Sequence, residues 1–229
     1  MKVSELFHSI QGEGKLTGVP SVFVRASGCN LRCVWCDTPY ASWNPDGTEM
    51  SVNEILDRAN AFGAKHAVVT GGEPMIMPDV VALCAAFKSA GYHVTVETAG
   101  TVYAAAPMDL ASISPKLSNS TPVDREGGRF AIAHDRQRIN VPVIQQLIDG
   151  AGDFQLKFVV SGEADLAEIK SLLSRLRRWK PVDVLLMPEG TSVAVLDSRA
   201  VWVSELCKRE GFRFCARLHV ALYGNVRGT

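Results

Sequence analysis

No uninterrupted apolar run in the chain approaches the ~18 residues a membrane-crossing helix needs, and no charge of either sign is in excess. Lys and Arg together number 24, and so do Asp and Glu. That balance removes the broad positive footprint that sequence-independent nucleic-acid binding requires. Internal repeats, low-complexity tracts and Pro/Ser-rich linkers are also missing, so a single domain over residues 1–229 is expected. Disorder is excluded by 47% hydrophobic against 21% charged residues. At the amino terminus Glu5 stands where a secretory leader would begin its apolar stretch. The expectation is a cytoplasmic protein with neither a membrane nor a nucleic acid as partner. The paired spacings of a disulfide framework are lacking too. Cys84, Cys207 and Cys215 are scattered among apolar neighbours and read as buried hydrophobes, whereas Cys29, Cys33 and Cys36 crowd together.

What recurs is a short β-branched run followed by a helical pattern. Strands are predicted at Ser21–Ala26, His66–Thr70, His93–Glu97, Ala111–Ile113, Gln155–Val160 and Val184–Met187. Helices are predicted at Val52–Phe62, Val80–Ala90, Ala164–Leu176 and Ser198–Glu210. Ser51 and Glu54 form a capping box ahead of Ile55, Ala59 and Phe62. Pro78 and Asp79 open the second helix, and Gly91 and Gly211 suit left-handed caps. Nearly all-apolar strands separated by helices describe a parallel sheet. The fold class is α/β, as an incomplete, open β/α barrel of six or seven strands, fewer than the eight that close a barrel. An open edge makes a symmetric homodimer the expected assembly. Residues 117–140 are long and rich in Gly, Arg and Asp, and read as an insertion or mobile lid.

The polar motifs fall at the carboxyl ends of these strands, where parallel barrels hold ligands. Cys29-Asn-Leu-Arg-Cys33-Val-Trp-Cys36 follows the first core strand, Gly71-Gly72-Glu73-Pro74 the second, Glu97-Thr98 the third and Ser114-Pro115-Lys116 the fourth. Thiolates select iron–sulfur clusters, zinc or cuprous ions. Structural zinc wants four closed ligands, and no fourth Cys or His follows at a zinc-like distance. Three ligands suit a four-iron cluster with one iron open to a small molecule.

CxxxCxxC after one strand and GGEP after the next resemble the radical S-adenosylmethionine superfamily. Within it, Phe7-His-Ser-Ile-Gln-Gly-Glu-Gly14, Phe23-Val-Arg25, Cys36-Asp37-Thr38, Glu97-Thr98, Ile113-Ser-Pro-Lys116 and Leu156-Lys157-Phe158 are similar to the 7-carboxy-7-deazaguanine synthase family, over residues 3 to about 224. The resemblance implies a [4Fe–4S] cluster on Cys29, Cys33 and Cys36, whose open iron binds the amino and carboxylate groups of S-adenosylmethionine. Reduction would then cleave a carbon–sulfur bond to give a 5′-deoxyadenosyl radical.

By the same resemblance Trp35, Cys36, Asp37, Gly72, Glu73, Ser114, Pro115 and Lys116 contact S-adenosylmethionine, and Thr38 is the protein ligand to Mg²⁺. Ile10, Gln11, Gly12, Arg25, Thr70 and the terminal Thr229 contact the substrate. Each has a plainer alternative. Arg25, which offers a fork matched to a carboxylate, also suits a strand-end ion pair. Gly71 and Gly72 suit a tight turn, Thr38 a turn before Pro39, and Lys116 a solvated surface. His8, His66, His93 and His134 show no ligand spacing. The basic run Arg175, Arg177, Arg178 and Lys180 suits a helix carboxyl end or a docking patch for an acidic donor.

The implied reaction converts 6-carboxy-5,6,7,8-tetrahydropterin to 7-carboxy-7-deazaguanine with loss of ammonia, toward queuosine and other 7-deazapurines. A low-potential electron donor such as flavodoxin would prime it. The competing enzyme class is a glycyl-radical activase, which shares the cysteine motif. The competing non-enzymatic class is an iron–sulfur carrier or zinc-stabilised module.

Overall fold

The computed structural model describes residues 1–229. In chain order its elements are β1 (Lys2–Ile10), β2 (Pro20–Ala26), α1 (Pro39–Ser42), β3 (Thr48–Glu49), α2 (Val52–Ala61), β4 (His66–Gly71), α3 (Val80–Ser89), β5 (His93–Thr98), β6 (Leu110–Ile113), α4 (Ala131–Gln137), α5 (Val141–Gly150), β7 (Asp153–Val160), α6 (Asp165–Leu173), β8 (Val184–Pro188), α7 (Val193–Glu210), β9 (Arg213–Phe214) and α8 (Leu218–Tyr223). They make one nine-stranded sheet in the order β3-β1-β2-β4-β5-β6-β7-β8-β9. From β2 to β9 every pairing is parallel. β1 adds antiparallel to β2, and β3 antiparallel to β1. The sheet does not close, and this is the open α/β barrel expected.

Helix starts follow their caps. Ser51 Oγ accepts from Glu54 N while the Glu54 carboxylate accepts from Ser51 N, a reciprocal box that satisfies two otherwise orphaned donors. Gly211, at φ 72°, ends α7 in the left-handed region. Ser192 caps the amino end of α7, so that helix begins well before the expected Ser198. β1 and α5 were not anticipated. In β1 the apolar positions do not alternate cleanly, and in α5 the pattern Ile144, Leu147, Ile148 sits behind Pro142.

The strands sort their side chains by face, as a two-residue period demands. Val69 of β4, Val94 and Val96 of β5, Ala111 and Ile113 of β6, and Leu156, Phe158 and Val160 of β7 join the main core with Ile55, Leu83, Phe87, Ile144, Ile169 and Val203 of the helices. The alternate residues Thr70, Thr95, Glu97, Ser112, Gln155 and Lys157 therefore face the barrel interior. From β4 to β7 that inner face is largely polar, flanked by the apolar groups Phe7, Phe23 and Val68 on one side and Val159, Leu185 and Met187 on the other.

Residues 117–140 brace the cysteine loop. Val34 N donates to Ser120 O (2.8 Å), Trp35 Nε1 to Asn119 O (3.1 Å), and an Arg125 guanidinium nitrogen to Val34 O (3.0 Å). No residue of this segment lines the cavity described next.

Candidate active site

The carboxyl ends of the strands open onto one cavity of about 440 Å³. Ile10, Gln11 and Gly12 enter it from the end of β1, and Arg25 from β2. Trp35, Asp37 and Thr38 come from the cysteine loop, Thr70 and Gly72 from the end of β4, Ser114 and Lys116 from the end of β6, and Thr229 from the tail. Cys29, Cys33, Cys36, Glu73 and Pro115 are not part of its wall. Two glycines are required by close approach. A Cβ on Gly72 would overlap the carbonyl oxygens of Gly28 and Ala41, and one on Gly12 would overlap the imidazole of His219.

The three cysteine side chains gather in one small cluster with Leu31 and Ala99, and all are free thiols. Burial pushes Cys29 and Cys33 up to about 12, so they stay protonated until a metal's charge displaces the proton. The Cys36 sulfur lies 3.1 Å from Ser42 Oγ and 3.8 Å from Thr38 Oγ1. Three soft thiol donors gathered from one loop fit an iron–sulfur cluster.

The loop that carries them is held by a relay that the sequence did not reveal. His134 is 2% exposed. Its Nδ1 accepts from Arg32 N at 3.1 Å, and its Nε2 lies 2.9 Å from Ser120 Oγ, which itself donates to Leu117 O at 2.6 Å. With Nδ1 accepting and the serine proton committed to Leu117, the ring is neutral and carries its hydrogen on Nε2. Burial, with the nearby Arg138 cation, lowers its pKa from 6.5 to about 4.

Glu73 lies wholly behind the cavity wall at 0% exposure. Its Oε1 accepts from Thr98 Oγ1 (2.7 Å) and Met75 N (3.1 Å), and its Oε2 from Ala99 N (2.8 Å). Burial raises its pKa, opposed by those three donors. With its acceptor sites engaged inside the protein, Glu73 clamps the turn after β4 to the turn after β5. Pro115 is also buried, whereas Lys116 Nζ donates to Ser114 Oγ (2.7 Å) and sits 5.8 Å above the Trp35 ring.

Glu97, quoted in a motif but given no role from sequence, joins two expected substrate residues. It accepts from Gln11 Nε2 (3.1 Å) and from Thr70 Oγ1 (2.8 Å). A second unanticipated array pairs Lys157 with Glu13, Glu13 with Arg217 (2.9 Å) and Arg217 with Asp37. Burial opposes ionisation of Glu13, but Lys157 and Arg217 hold its carboxylate far below the ordinary range. Burial likewise opposes the Lys157 cation, and Glu13 with Glu97 keeps it charged. These partners are 144 and 204 residues apart in sequence, and no local pattern announces such pairs.

Residues 23–121 match the Radical SAM superfamily model. The chain is 48% identical to the 7-carboxy-7-deazaguanine synthase of Halobacterium salinarum, covering 100% of this chain and 93% of that one. It is 46% identical to the protein of the same description from Rhodopirellula baltica, over 99% and 88%. The crystal structure of QueE from Escherichia coli superposes with a TM-score of 0.71 at 24% identity, over 95% and 94% of the two chains, and so shares the fold. The chain belongs to the 7-carboxy-7-deazaguanine synthase family of the radical S-adenosylmethionine superfamily.

Proposed function

We propose that the chain is a 7-carboxy-7-deazaguanine synthase that converts 6-carboxy-5,6,7,8-tetrahydropterin to 7-carboxy-7-deazaguanine and ammonia, feeding queuosine and other 7-deazapurines. Substrate and product differ by one molecule of ammonia, so the conversion itself needs no net oxidant. The observation that carries the reading is one cavity wall joining the cysteine loop, an arginine with an open edge and the polar inner face of the barrel.

In this reading Cys29, Cys33 and Cys36 hold a [4Fe–4S] cluster. Trp35, Asp37, Gly72, Ser114 and Lys116 surround S-adenosylmethionine, with Glu73 and Pro115 shaping the wall from behind. Bound together, these groups supply hydrogen-atom abstraction from a carbon that no side chain could deprotonate. Arg25 takes the substrate carboxylate. Its Nε is engaged by Glu5 at 2.5 Å, and its two terminal nitrogens have no protein partner, which leaves the bidentate edge that a carboxylate matches. Ile10, Gln11 and Gly12 follow the pterin edge, with Gln11 and Thr70 aimed by Glu97. Thr38 offers its hydroxyl to Mg²⁺, a hard ion that takes its other oxygens from water and substrate, and Thr229 closes the mouth. Fixing the reacting carbon within attack distance is the protein's entropic contribution.

The priming electron comes from a low-potential carrier such as flavodoxin. We place the enzyme in the cytoplasm, which six unpaired thiols suit, and no helix is long and apolar enough to cross a membrane. A homodimer belongs to the same reading. Both sheet edges are two-residue strands, so the pairing surface is helix or loop, and sedimentation decides the state. The test of function is anaerobic incubation of the reconstituted protein with S-adenosylmethionine, reductant and the carboxypterin. Deazaguanine and ammonium in equal amounts are expected. A cluster-replete protein that yields neither overturns the proposal.

A further inference from the structure

Glu5 has no part in the motifs above, yet its carboxylate meets both Arg25 and the segment Arg227–Gly228. It stands opposite Arg25 across β1 and β2, with a side chain 8% exposed. Oε2 accepts from Arg25 Nε at 2.5 Å and from Tyr40 Oη at 2.8 Å. Oε1 accepts from the backbone N of Gly228 at 3.0 Å and lies 3.6 Å from Arg227 Nε. The tail has a second fastening that does not involve Arg25. The Arg227 guanidinium lies 3.8 Å from the centroid of the Tyr40 ring and bonds Asp46 at 2.9 Å. Thr229, which lines the cavity, adjoins Gly228, so the Gly228–Glu5 bond bears directly on its position.

The geometry points to Glu5 as a positioning residue that couples the carboxylate anchor to closure of the tail, an inference that rests on the reading of Arg25 as that anchor. One oxygen fixes the guanidinium plane so that its terminal nitrogens face the cavity. The other draws the last two residues to the mouth. A neutral amide at this position has one acceptor oxygen for two sets of donors. Its NH₂ group must then face either Arg25 Nε or Gly228 N, both donors. One contact is lost outright, and the other, made to a neutral amide oxygen in place of a carboxylate, is weakened.

The test compares Glu5→Gln with Asp46→Asn, which loosens the Arg227 fastening and leaves the Arg25–Glu5 pair intact. Two readouts are taken. The first is release of Thr229 by a carboxypeptidase from the folded protein, followed by intact mass, which needs no turnover. The second is KM and kcat for the carboxypterin. For Glu5→Gln, Thr229 release speeds about tenfold and KM rises about tenfold with kcat within about threefold of wild type, the scale of one charge-assisted hydrogen bond lost. For Asp46→Asn, release speeds while KM stays within about twofold, as for an exposed ion pair. An unchanged KM or an unchanged release rate in Glu5→Gln overturns the coupling, and so does an equal KM rise in Asp46→Asn, which would assign the effect to the tail alone. If wild type shows no turnover of the carboxypterin, the function reading has failed, while the release data still report on the latch.

Discussion

Replacing His134 by Phe keeps a buried ring of similar size but removes both hydrogen bonds that tie Arg32 to Ser120. The Arg32 N–H, between Cys29 and Cys33, then loses its acceptor, at a cost of about 1–3 kcal/mol for an unsatisfied buried donor. The pH dependence is the sharper signature. A pKa of about 4 in the fold against the ordinary 6.5 means that, between those values, the unfolded chain binds a proton the folded chain refuses. Stability from this group is complete above pH 6.5 and is lost as pH falls toward 4. At pH 5 the loss reaches about 2 kcal/mol, since one pKa unit corresponds to about 1.4 kcal/mol. Urea unfolding of metal-free wild type and His134→Phe at pH 7.5 and 5 isolates this term, because every other titrating group is common to both. The wild type should lose about 2 kcal/mol more than the variant over that interval. Parallel losses, agreeing within about 0.5 kcal/mol, would refute a neutral, accepting His134.

Three further outcomes follow from the same contacts. Glu73→Gln places an amide donor against either the Met75 and Thr98 donors or Ala99 N, so it should cost about 1–3 kcal/mol in urea unfolding despite its near-identical shape. Lys157→Met strips Glu13 of one of two buried cations and should destabilise by about 3 kcal/mol, whereas Lys208→Met, at an exposed pair with Glu205, should cost less than about 1 kcal/mol. Gly72→Ala drives a methyl group into two backbone carbonyls that cannot rotate away. Calorimetry on the reconstituted protein should show S-adenosylmethionine affinity at least about tenfold weaker, the effect of roughly 1.4 kcal/mol of steric cost.

Local signals reported local structure well. Ser51 and Glu54 are three residues apart, and their capping box is present as read. The β-branched runs from Ser21 to Met187 are the parallel strands, and the motifs after them share one cavity because strand direction puts every carboxyl end on the same side. The misses have a common cause in sequence distance. Glu13, Lys157, Arg217 and Asp37 form one charge array from four separated segments, and only the closed chain puts them in contact. Glu73 was visible as part of a motif, but its bonds to Thr98 Oγ1 and Ala99 N depend on the packing of β4 against β5. His134 carried no signal because its partners are a backbone N–H and a serine, neither of which has a recognisable spacing. β1 went unseen because a register shift between Val3 and Glu5 puts Val3 and Leu6 toward the same core, so no two-residue alternation appears.

The central claim is that Cys29, Cys33 and Cys36 hold a cluster whose fourth iron is exposed to the ligand in this cavity. Electron–nuclear double resonance on the anaerobically reduced, reconstituted protein tests it, using S-adenosylmethionine labelled with nitrogen-15 on the amino group and carbon-13 on the carboxylate. Strong hyperfine coupling of both labels to the cluster is expected, lost when any one of the three cysteines is replaced by alanine. A reduced cluster whose spectrum shows no coupling to either label, with S-adenosylmethionine bound, would contradict it.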